Sequence, residues 1–245
     1  MSNKYTSDYF DTLIVPGFRG SGDSHWQTWL EQQLPYARRI DGIDWESPQV
    51  EVWSAQIIRV LESASQPVWI VAHSFGCLVT IWASQYIAHK IAGVFLVAPA
   101  DPWRFSYGGL YEQLDTDSSV VSIAEKLPKY SLHFPSVVIA STNDPWVKLT
   151  AAGFWAQHWG SYFINIGNAG HININSGFGP WPEGLDLLRQ FQSIHGELPL
   201  GTVGVSNAAM AHESPDLIVR ASQPFQTLNQ DASQLIHSFK DYFQL

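Results

Sequence analysis

Short runs of consecutive apolar residues alternate with longer amphipathic segments through most of the chain. The apolar runs predict strands, and the amphipathic segments predict helices between most of them. The predicted strands are residues 12–15, 37–41, 68–72, 92–98, 136–141 and 161–166, and the predicted helices are 25–34, 48–64, 77–88, 148–159 and 184–194. Strands that are apolar at every position are typical of a sheet buried on both faces. The pattern therefore predicts an α/β fold with a mostly parallel sheet of about six strands and helices on both faces.

Two stretches do not follow this alternation. Residues 101–134 come after a predicted strand and are expected to pass over the edge of the sheet, and the tail from residue 197 is looser in pattern and contains an amphipathic helix. We therefore predict one α/β domain over residues 1–196 and a C-terminal extension over 197–245. Packing of the extension's helix on the same domain is favoured over an arm that docks a partner or forms a homo-oligomer.

Composition and charge exclude several classes of function. A formal net charge of −9 over 245 residues argues against nucleic acid or an anionic membrane as the partner. The single cysteine, Cys77, excludes an internal disulfide and a metal site built from cysteines, and it is expected in the core. The N-terminal segment has no basic region followed by a long apolar run, so no signal peptide is predicted. These features predict a cytoplasmic location.

The segment WIVAHSFGCLV, residues 69–79, leads from an apolar strand through a turn of small residues into a helix. Ser74 at this turn fits the pattern Gly-x-Ser-x-Gly, with Ala72 in place of the first glycine and Gly76 as the second. In enzymes with a serine nucleophile, such a turn holds the serine in a strained conformation and raises its hydroxyl above the sheet. The pentapeptide alone is weak evidence, because GVSNA around Ser206 also matches it. Ser206 lacks the preceding strand and the following helix, so Ser74 is the predicted nucleophile.

A serine hydroxyl is a good nucleophile only when a base removes its proton. His171 follows the last predicted strand and Asp144 follows the strand before it. The chain order Ser, Asp, His is that of a nucleophile, an acid and a base on one parallel sheet. Asp101 is a second candidate for the acid, but Asp144 is favoured because its strand directly precedes that of His171. His73 is expected to point to the other side of its strand and to have a packing role.

Two backbone N–H groups are predicted to stabilise an oxyanion at this serine. Phe75 begins the following helix, whose N-terminus favours negative charge, and Phe18 lies in the loop after the first strand. Arg19 in the same loop is either a contact for an anionic substrate group or a solvated side chain. Three tryptophans on nearby loops are candidates for lining a substrate pocket, although each one alone could equally be a packing residue; they are Trp103, Trp146 and Trp181.

Five segments of the chain together resemble a known family of enzymes. They are VPGFRGSGDSHWQTWLE, VAHSFGCL, LVAPAD, STNDPW and GHININSGFGPWPEG. They are similar to the small serine hydrolases of the retinoblastoma-binding-protein type, which include the bacterial YdeN-like proteins. The resemblance covers residues 11–194 and implies an α/β-hydrolase fold without a large lid, and carboxylesterase-like activity without a metal or cofactor. It also implies Ser74 as nucleophile, Asp144 as acid and His171 as base, with a small residue tolerated at Ala72.

The resemblance implies hydrolysis of a small ester or amide substrate through an acyl-enzyme on Ser74. Two other interpretations stay open. The same three residues serve a peptidase or an acyltransferase, and a scaffold that binds a protein partner could retain the fold with incidental activity. The ordered Ser, Asp and His argue against the scaffold, because binding alone requires none of them.

Overall fold

The structure, a computed structural model, describes residues 11–110 and 121–196 of the chain. Its strands are β1 (Thr12–Val15), β2 (Ala37–Arg39), β3 (Val68–His73), β4 (Ile91–Val97), β5 (Phe105–Ser106), β6 (Gly109–Leu110), β7 (Ser136–Ala140) and β8 (Tyr162–Asn165). Six of them form one sheet in the order β2-β1-β3-β4-β7-β8, and every neighbouring pair in it is parallel. β5 and β6 form a separate antiparallel pair. The predicted α/β fold with a mostly parallel sheet of about six strands is confirmed.

Helices cover both faces of this sheet, as predicted. Their bounds are α1 (Trp26–Gln33), α2 (Val50–Ser63), α3 (Phe75–Ile87), α4 (Leu149–Trp159) and α5 (Pro182–Gly196). Buried side chains of α2, α3 and α4 form one core layer, and those of α1 and α5 form the other. The strands supply both layers because successive side chains point to opposite faces. In β1, for example, Leu13 and Val15 join the first layer and Ile14 joins the second.

Helix α3 lies in the centre of the first core layer, and this explains why its sequence is almost entirely apolar. Phe75 at its start is fully buried, with its ring 5.1 Å from that of Trp53 and 4.6 Å from that of Phe105. Cys77 is also fully buried and free, as expected for a core residue. Burial raises the pKa of the Cys77 thiol well above its ordinary value. The first turns of the helix that follows Ser74 are therefore held by packed apolar groups.

Helix α2 begins later than its sequence signal suggests. Ser47 and Pro48 resemble a helix cap and a first-turn proline, yet the first helical residue is Val50 and the residue at the cap is Gln49. The Ser47 carbonyl instead accepts hydrogen bonds from the backbone N–H of Gln49 and from the indole N–H of Trp53. These bonds hold residues 47–49 in a turn, so the helix starts only after them.

The segment between β4 and β7 connects two strands that are neighbours in the interior of the sheet. The segment starts with a short 3₁₀ helix, Pro102–Arg104, and continues into β5, whose Phe105 packs on Phe75. The Ser122 hydroxyl donates to the Pro102 carbonyl and ties the returning chain to this helix. The predicted excursion over the sheet edge stays a prediction, because residues 111–120 of the segment lie outside the described residues.

Some predictions lie outside the described residues. These are the C-terminal extension over 197–245 with its amphipathic helix, the serine at position 206, and residues 111–120 of the long segment. Among the residues that the structure does describe, no helix has both the length and the apolar character needed to cross a membrane.

Candidate active site

Ser74 lies at the turn between β3 and α3 in a backbone conformation that is rare for a side chain larger than glycine. Its φ is 54° and its ψ is −123°. Such a conformation persists only where the surroundings hold it. Here the Ser74 N–H donates to the carbonyl of Val97, and the Ser74 carbonyl accepts from the N–H groups of Cys77 and Ala100. Ser74 is half-buried and follows the last residue of β3, so the turn presents it at the carboxyl end of the sheet.

The turn requires small residues because two chain segments approach it closely. A Cβ atom at Gly76 would lie 2.4 Å from the Pro16 carbonyl oxygen and 2.5 Å from that of Val15. A Cβ at Gly17 would lie 2.7 Å from the Cβ of Ser74. Ala72 on β3 is completely buried, so its methyl group is accommodated within the core. The alanine at the first small position is thus compatible with the turn.

His171 lies on the loop after β8, and its imidazole reaches the serine. The His171 Nε2 is 2.8 Å from the Ser74 Oγ. The loop needs glycine at position 170, where φ is 54° and a Cβ would lie 2.3 Å from the Ser176 hydroxyl oxygen. That hydroxyl accepts a hydrogen bond from the His171 backbone N–H. The loop is therefore held at its backbone by Ser176, and its imidazole contacts the Ser74 hydroxyl.

Asp144 lies on the loop after β7 and faces the other nitrogen of the same imidazole. Its two carboxylate oxygens lie 3.0 and 2.8 Å from the His171 Nδ1. Its side chain is 0% exposed, and Oδ1 also accepts from the Trp146 backbone N–H at 2.8 Å. Asp101 has a different position, because its carboxylate caps the 3₁₀ helix Pro102–Arg104 by accepting from the Trp103 N–H. Of the two candidate acids, the structure brings Asp144 to the imidazole.

Ser74, His171 and Asp144 thus form one continuous chain of hydrogen bonds. A carboxylate on Nδ1 keeps the hydrogen on that nitrogen, which leaves Nε2 with a lone pair aimed at the serine hydroxyl. The imidazole can then take the hydroxyl proton, and the buried carboxylate stabilises the imidazolium that forms. The arrangement is capable of generating a serine nucleophile.

Two backbone N–H groups lie beside the serine without a protein acceptor. Neither Phe75, at the N-terminus of α3, nor Phe18 donates its N–H to another group within residues 11–110 and 121–196. The loop that carries Phe18 is in contact with the turn, since Gly17 has no room for a Cβ beside Ser74. In general, unpaired backbone N–H groups beside a nucleophile can bind an oxyanion that forms on a substrate carbonyl.

The three tryptophans chosen from the sequence have different surroundings. Trp146 is 36% exposed, and its ring centroid lies 6.1 Å from that of His171. Trp103 is 56% exposed on the 3₁₀ helix next to the turn. Trp181 is 7% exposed, and its ring is packed edge to face against Trp26 at 5.4 Å. Trp181 therefore has a packing position, whereas Trp103 and Trp146 are accessible.

His73 is in the core, where the sequence placed it, but it also makes a polar contact. Its Nε2 lies 3.0 Å from the His171 carbonyl oxygen, and its ring is 5.1 Å from that of His25. Burial is the main cause that lowers the pKa of His73 well below its ordinary value, with His171 and His25 adding to it. Burial, Arg39 and His171 lower the pKa of His25 to about 4. Both histidines are therefore neutral near pH 7.

Two polar residues of the site carried no clear signal in the sequence. The Asn143 side-chain oxygen accepts from the Gly170 N–H at 2.7 Å and so joins the loop of Asp144 to the loop of His171. Ser176 holds the His171 backbone from the other side. Both residues lie in segments that carried the family resemblance, STNDPW and GHININSGFGPWPEG. No group of His, Cys, Asp and Glu suited to a metal ion occurs in the part of the chain that the structure describes.

Comparison with known proteins identifies the family. A protein-family model for serine hydrolases matches residues 12–190. The chain belongs to the serine hydrolase family. The family resemblance read from the sequence segments is thereby confirmed, and the site described above lies wholly inside the matched region. No curated protein matches the chain.

Solved structures with the same fold include two YdeN-type proteins. A YdeN-like hydrolase from Pectobacterium atrosepticum is 37% identical over 77% of this chain and 93% of its own, with a TM-score of 0.65. The ydeN gene product of B. subtilis is 21% identical over 75% of this chain and 99% of its own, with a TM-score of 0.59. Est1E from Butyrivibrio proteoclasticus is 12% identical over 78% of this chain and 91% of its own, with a TM-score of 0.53. The last two likenesses show the α/β-hydrolase fold alone.

Proposed function

We propose that this serine hydrolase cleaves a small carboxylic ester through an acyl-enzyme on Ser74. The observation that carries the proposal is the hydrogen-bonded chain from the Ser74 hydroxyl through the His171 imidazole to the buried Asp144 carboxylate. Family membership supports the hydrolase class, and the geometry supports Ser74 as its nucleophile. No metal or cofactor is needed for this chemistry, because the base and the oxyanion donors all belong to the protein.

The proposed reaction has two acyl-transfer steps. His171 Nε2 takes the Ser74 proton as the hydroxyl oxygen attacks the ester carbonyl, and the N–H groups of Phe75 and Phe18 bind the oxyanion that forms. His171 then gives its proton to the leaving alcohol, and the acyl group stays on Ser74. Water attacks the acyl-enzyme with His171 again as base, which returns the serine and releases the acid. The Asp144 carboxylate stabilises the imidazolium in both steps.

The substrate is proposed to be a small molecule that enters beside the exposed Trp103 and Trp146. Ser74 is half-buried, Trp146 lies beside His171, and Trp103 is exposed on the 3₁₀ helix after β4. An ester is preferred to an amide because the alkoxide of an ester leaves readily with the help of one general acid. Peptide bond cleavage, and transfer of the acyl group to an alcohol or amine, use the same three residues and are distinguished by assay.

A labelling experiment tests the proposal on the full chain. We expect a fluorophosphonate probe to modify one serine, and mass spectrometry of the tryptic peptides to place the adduct on Ser74. We also expect hydrolysis of p-nitrophenyl butyrate with a burst of p-nitrophenolate, because the acyl-enzyme accumulates when deacylation is the slower step. Two further assays test the alternatives: casein as a substrate tests peptide bond cleavage, and hydrolysis with added alcohol tests acyl transfer.

The serine at position 206 provides an internal control, because it lies in the second pentapeptide of the same pattern. Protein unfolded in urea before labelling is the other control, since only the folded site activates a serine. An adduct on Ser206, or labelling that survives unfolding, would contradict the assignment. Absence of hydrolysis of every ester in a broad panel would contradict the proposed activity.

A further inference from the structure

An arginine side chain lies over one of the exposed tryptophans at the site. The Arg104 guanidinium carbon is 4.3 Å from the centroid of the Trp146 ring, and that ring is the one next to His171. Trp146 is held in place by its backbone bond to the Asp144 carboxylate. Arg104 itself ends the 3₁₀ helix that begins two residues after Ala100, whose N–H bonds to the Ser74 carbonyl. The same aromatic ring is therefore next to both this cation and the imidazole.

Arg104 is half-buried, yet no carboxylate in the described ranges lies within ion-pair distance of it. Even the nearest acidic residue in sequence, Asp101, uses its carboxylate to cap the 3₁₀ helix. Partly desolvated charges are normally paired, and the chain carries an excess of acidic residues that could have supplied a partner. Among the described residues the guanidinium contacts the Trp146 ring, and none of them accepts a hydrogen bond from its N–H groups.

We propose that Arg104 binds an anionic group of the ester substrate, and that the substrate class is therefore esters that carry a carboxylate. This inference rests on the proposed function, because it concerns the substrate of the same site. The N–H donors of a guanidinium lie in its own plane, so a guanidinium over an aromatic ring can still offer a carboxylate two parallel hydrogen bonds. Substrates of this kind bind with the anionic group near Arg104 and the ester carbonyl at Ser74.

Arg19, the cation that the sequence suggested for this role, is less suitable. Its side chain is 74% exposed and lies 3.8 Å from the Glu46 carboxylate. An exposed pair of this kind is screened by water and salt. Arg19 therefore supplies a matched control, since it is the same residue type on a neighbouring loop of the same site.

Two pairs of esters test the inference, each with one anionic and one neutral member. For an anionic acyl group the pair is mono-4-nitrophenyl terephthalate and 4-nitrophenyl benzoate. For an anionic leaving group it is 4-acetoxybenzoate and its methyl ester. The readout is the ratio of kcat/KM for the anionic member to kcat/KM for the neutral one. In one of the pairs we expect an Arg104→Met variant to lower this ratio by about 10- to 100-fold, because a charge-assisted hydrogen bond is lost.

The methionine retains an unbranched stem that can lie on Trp146, so the change removes mainly the charge. An Arg19→Met variant is expected to keep the wild-type ratio, and 0.5 M NaCl is expected to lower the wild-type ratio only modestly because the site is partly buried. An unchanged ratio in both pairs for Arg104→Met, with ester hydrolysis retained, overturns the inference and leaves the proposed function intact. A wild-type protein that hydrolyses p-nitrophenyl butyrate but none of these four esters overturns the inference and leaves the proposed function intact. Failure on all five esters counts against both.

A separate set of contacts holds the loop of His171 from below. The Trp26 indole N–H donates to the Ile172 carbonyl at 2.8 Å, and His73 Nε2 lies 3.0 Å from the His171 carbonyl oxygen. A carbonyl can only accept, so the hydrogen is on Nε2 of His73. Ile172 has a φ of 46°, which is unfavourable for a β-branched residue and requires support from its surroundings. The support comes from the N–H groups of Trp26 and His73, which donate to the consecutive carbonyls of Ile172 and His171.

We further propose that Trp26 and His73 are positioning residues that hold the His171 imidazole at its working distance from Ser74. His73 and Trp26 are almost fully buried, and their rings pack edge to face with centroids 5.8 Å apart. The two donors therefore belong to one packed unit. Since a displacement of about 1 Å at a catalytic group can lower a rate by about 100-fold, loss of either donor acts on the chemical step.

Two substitutions of His73 separate positioning from stability. His73→Met removes the N–H donor at similar size, and His73→Gln retains an N–H donor at similar reach. For p-nitrophenyl butyrate we expect kcat of His73→Met to fall by about 10-fold or more with KM unchanged, and His73→Gln to recover most of the loss. Circular dichroism establishes that both variants are folded at the assay temperature. Equal kcat for the two variants, at any level of thermal stability, overturns the positioning role.

Discussion

An Asp144→Asn variant is expected to hydrolyse p-nitrophenyl butyrate with a kcat about 10⁴-fold below that of the wild type. The carboxylate faces the Nδ1 of His171 with both oxygens, at 3.0 and 2.8 Å. An amide in its place can present an N–H to Nδ1, which moves the imidazole hydrogen to Nε2 and leaves no lone pair for the serine proton. The imidazolium would also lose its buried counter-charge. Both effects act on the transition state, so kcat is the parameter that falls.

Steady-state kinetics of Asp144→Asn and Asp101→Asn decides between the two acids that the sequence offered. Asp101 caps a 3₁₀ helix by accepting from the Trp103 N–H, and an asparagine oxygen can also accept that bond. We therefore expect Asp101→Asn to remain within a few-fold of the wild type. Strong loss for Asp101→Asn together with normal turnover for Asp144→Asn would assign the acid to the other loop. Circular dichroism of both variants excludes unfolding as the cause.

The parts of the site that sequence analysis could predict are those that depend on the sheet alone. Strands in a parallel sheet bring their carboxyl ends to one edge, so residues that directly follow strands are neighbours in space whatever their separation in the chain. Ser74, Asp144 and His171 each follow a strand, and 2.8 Å separates the first and last of these side chains. The apolar strands and their order were therefore enough to bring these three residues together.

The parts that could not be predicted depend on how loops pack on each other. Arg104 and Trp146 lie on the loops after β4 and β7, and nothing in their local sequence indicates that the guanidinium stacks on the ring. His73 was assigned to packing because its strand position points away from Ser74, and it is indeed buried. Its bond to the His171 carbonyl requires the return of a loop 98 residues later, which the strand pattern does not describe.

The boundary of α2 shows the same limit on a smaller scale. Ser47 followed by Pro48 is a helix-start signal, but the Trp53 indole takes the Ser47 carbonyl as its acceptor and holds a turn there. Burial of a tryptophan whose N–H needs an acceptor thus has more influence than a local capping preference. Trp26 follows the same rule, because its buried indole finds its acceptor on the His171 loop. The many tryptophans of this chain therefore connect segments as well as fill the core.

Replacement of Gly76 by alanine is expected to affect both stability and catalysis. The new Cβ would lie 2.4 and 2.5 Å from the carbonyl oxygens of Pro16 and Val15, which are backbone atoms and cannot move as a side chain can. Relief requires the loop after β1 to shift away from α3, and that loop carries the Phe18 N–H. We expect the free energy of unfolding to fall by about 3 kcal/mol from overpacking. We also expect kcat to fall by about 100-fold, because one oxyanion donor is displaced.

Gly22→Ala is the matched control, because it lies on the same loop, no atom lies within 4 Å of its added Cβ, and its φ is not in the left-handed region. Urea unfolding of this variant is expected to match the wild type within about 0.5 kcal/mol. The folded fraction of Gly76→Ala is measured first, and kcat is then compared at a temperature where the variant is folded. If Gly76→Ala is less stable but has a normal kcat, the shift of the loop does not affect catalysis. The Phe18 N–H would then not be an oxyanion donor. We expect Gly76→Ala to lose both stability and kcat, and Gly22→Ala to lose neither. That result would show that close contact between the loop after β1 and α3 holds the oxyanion site together.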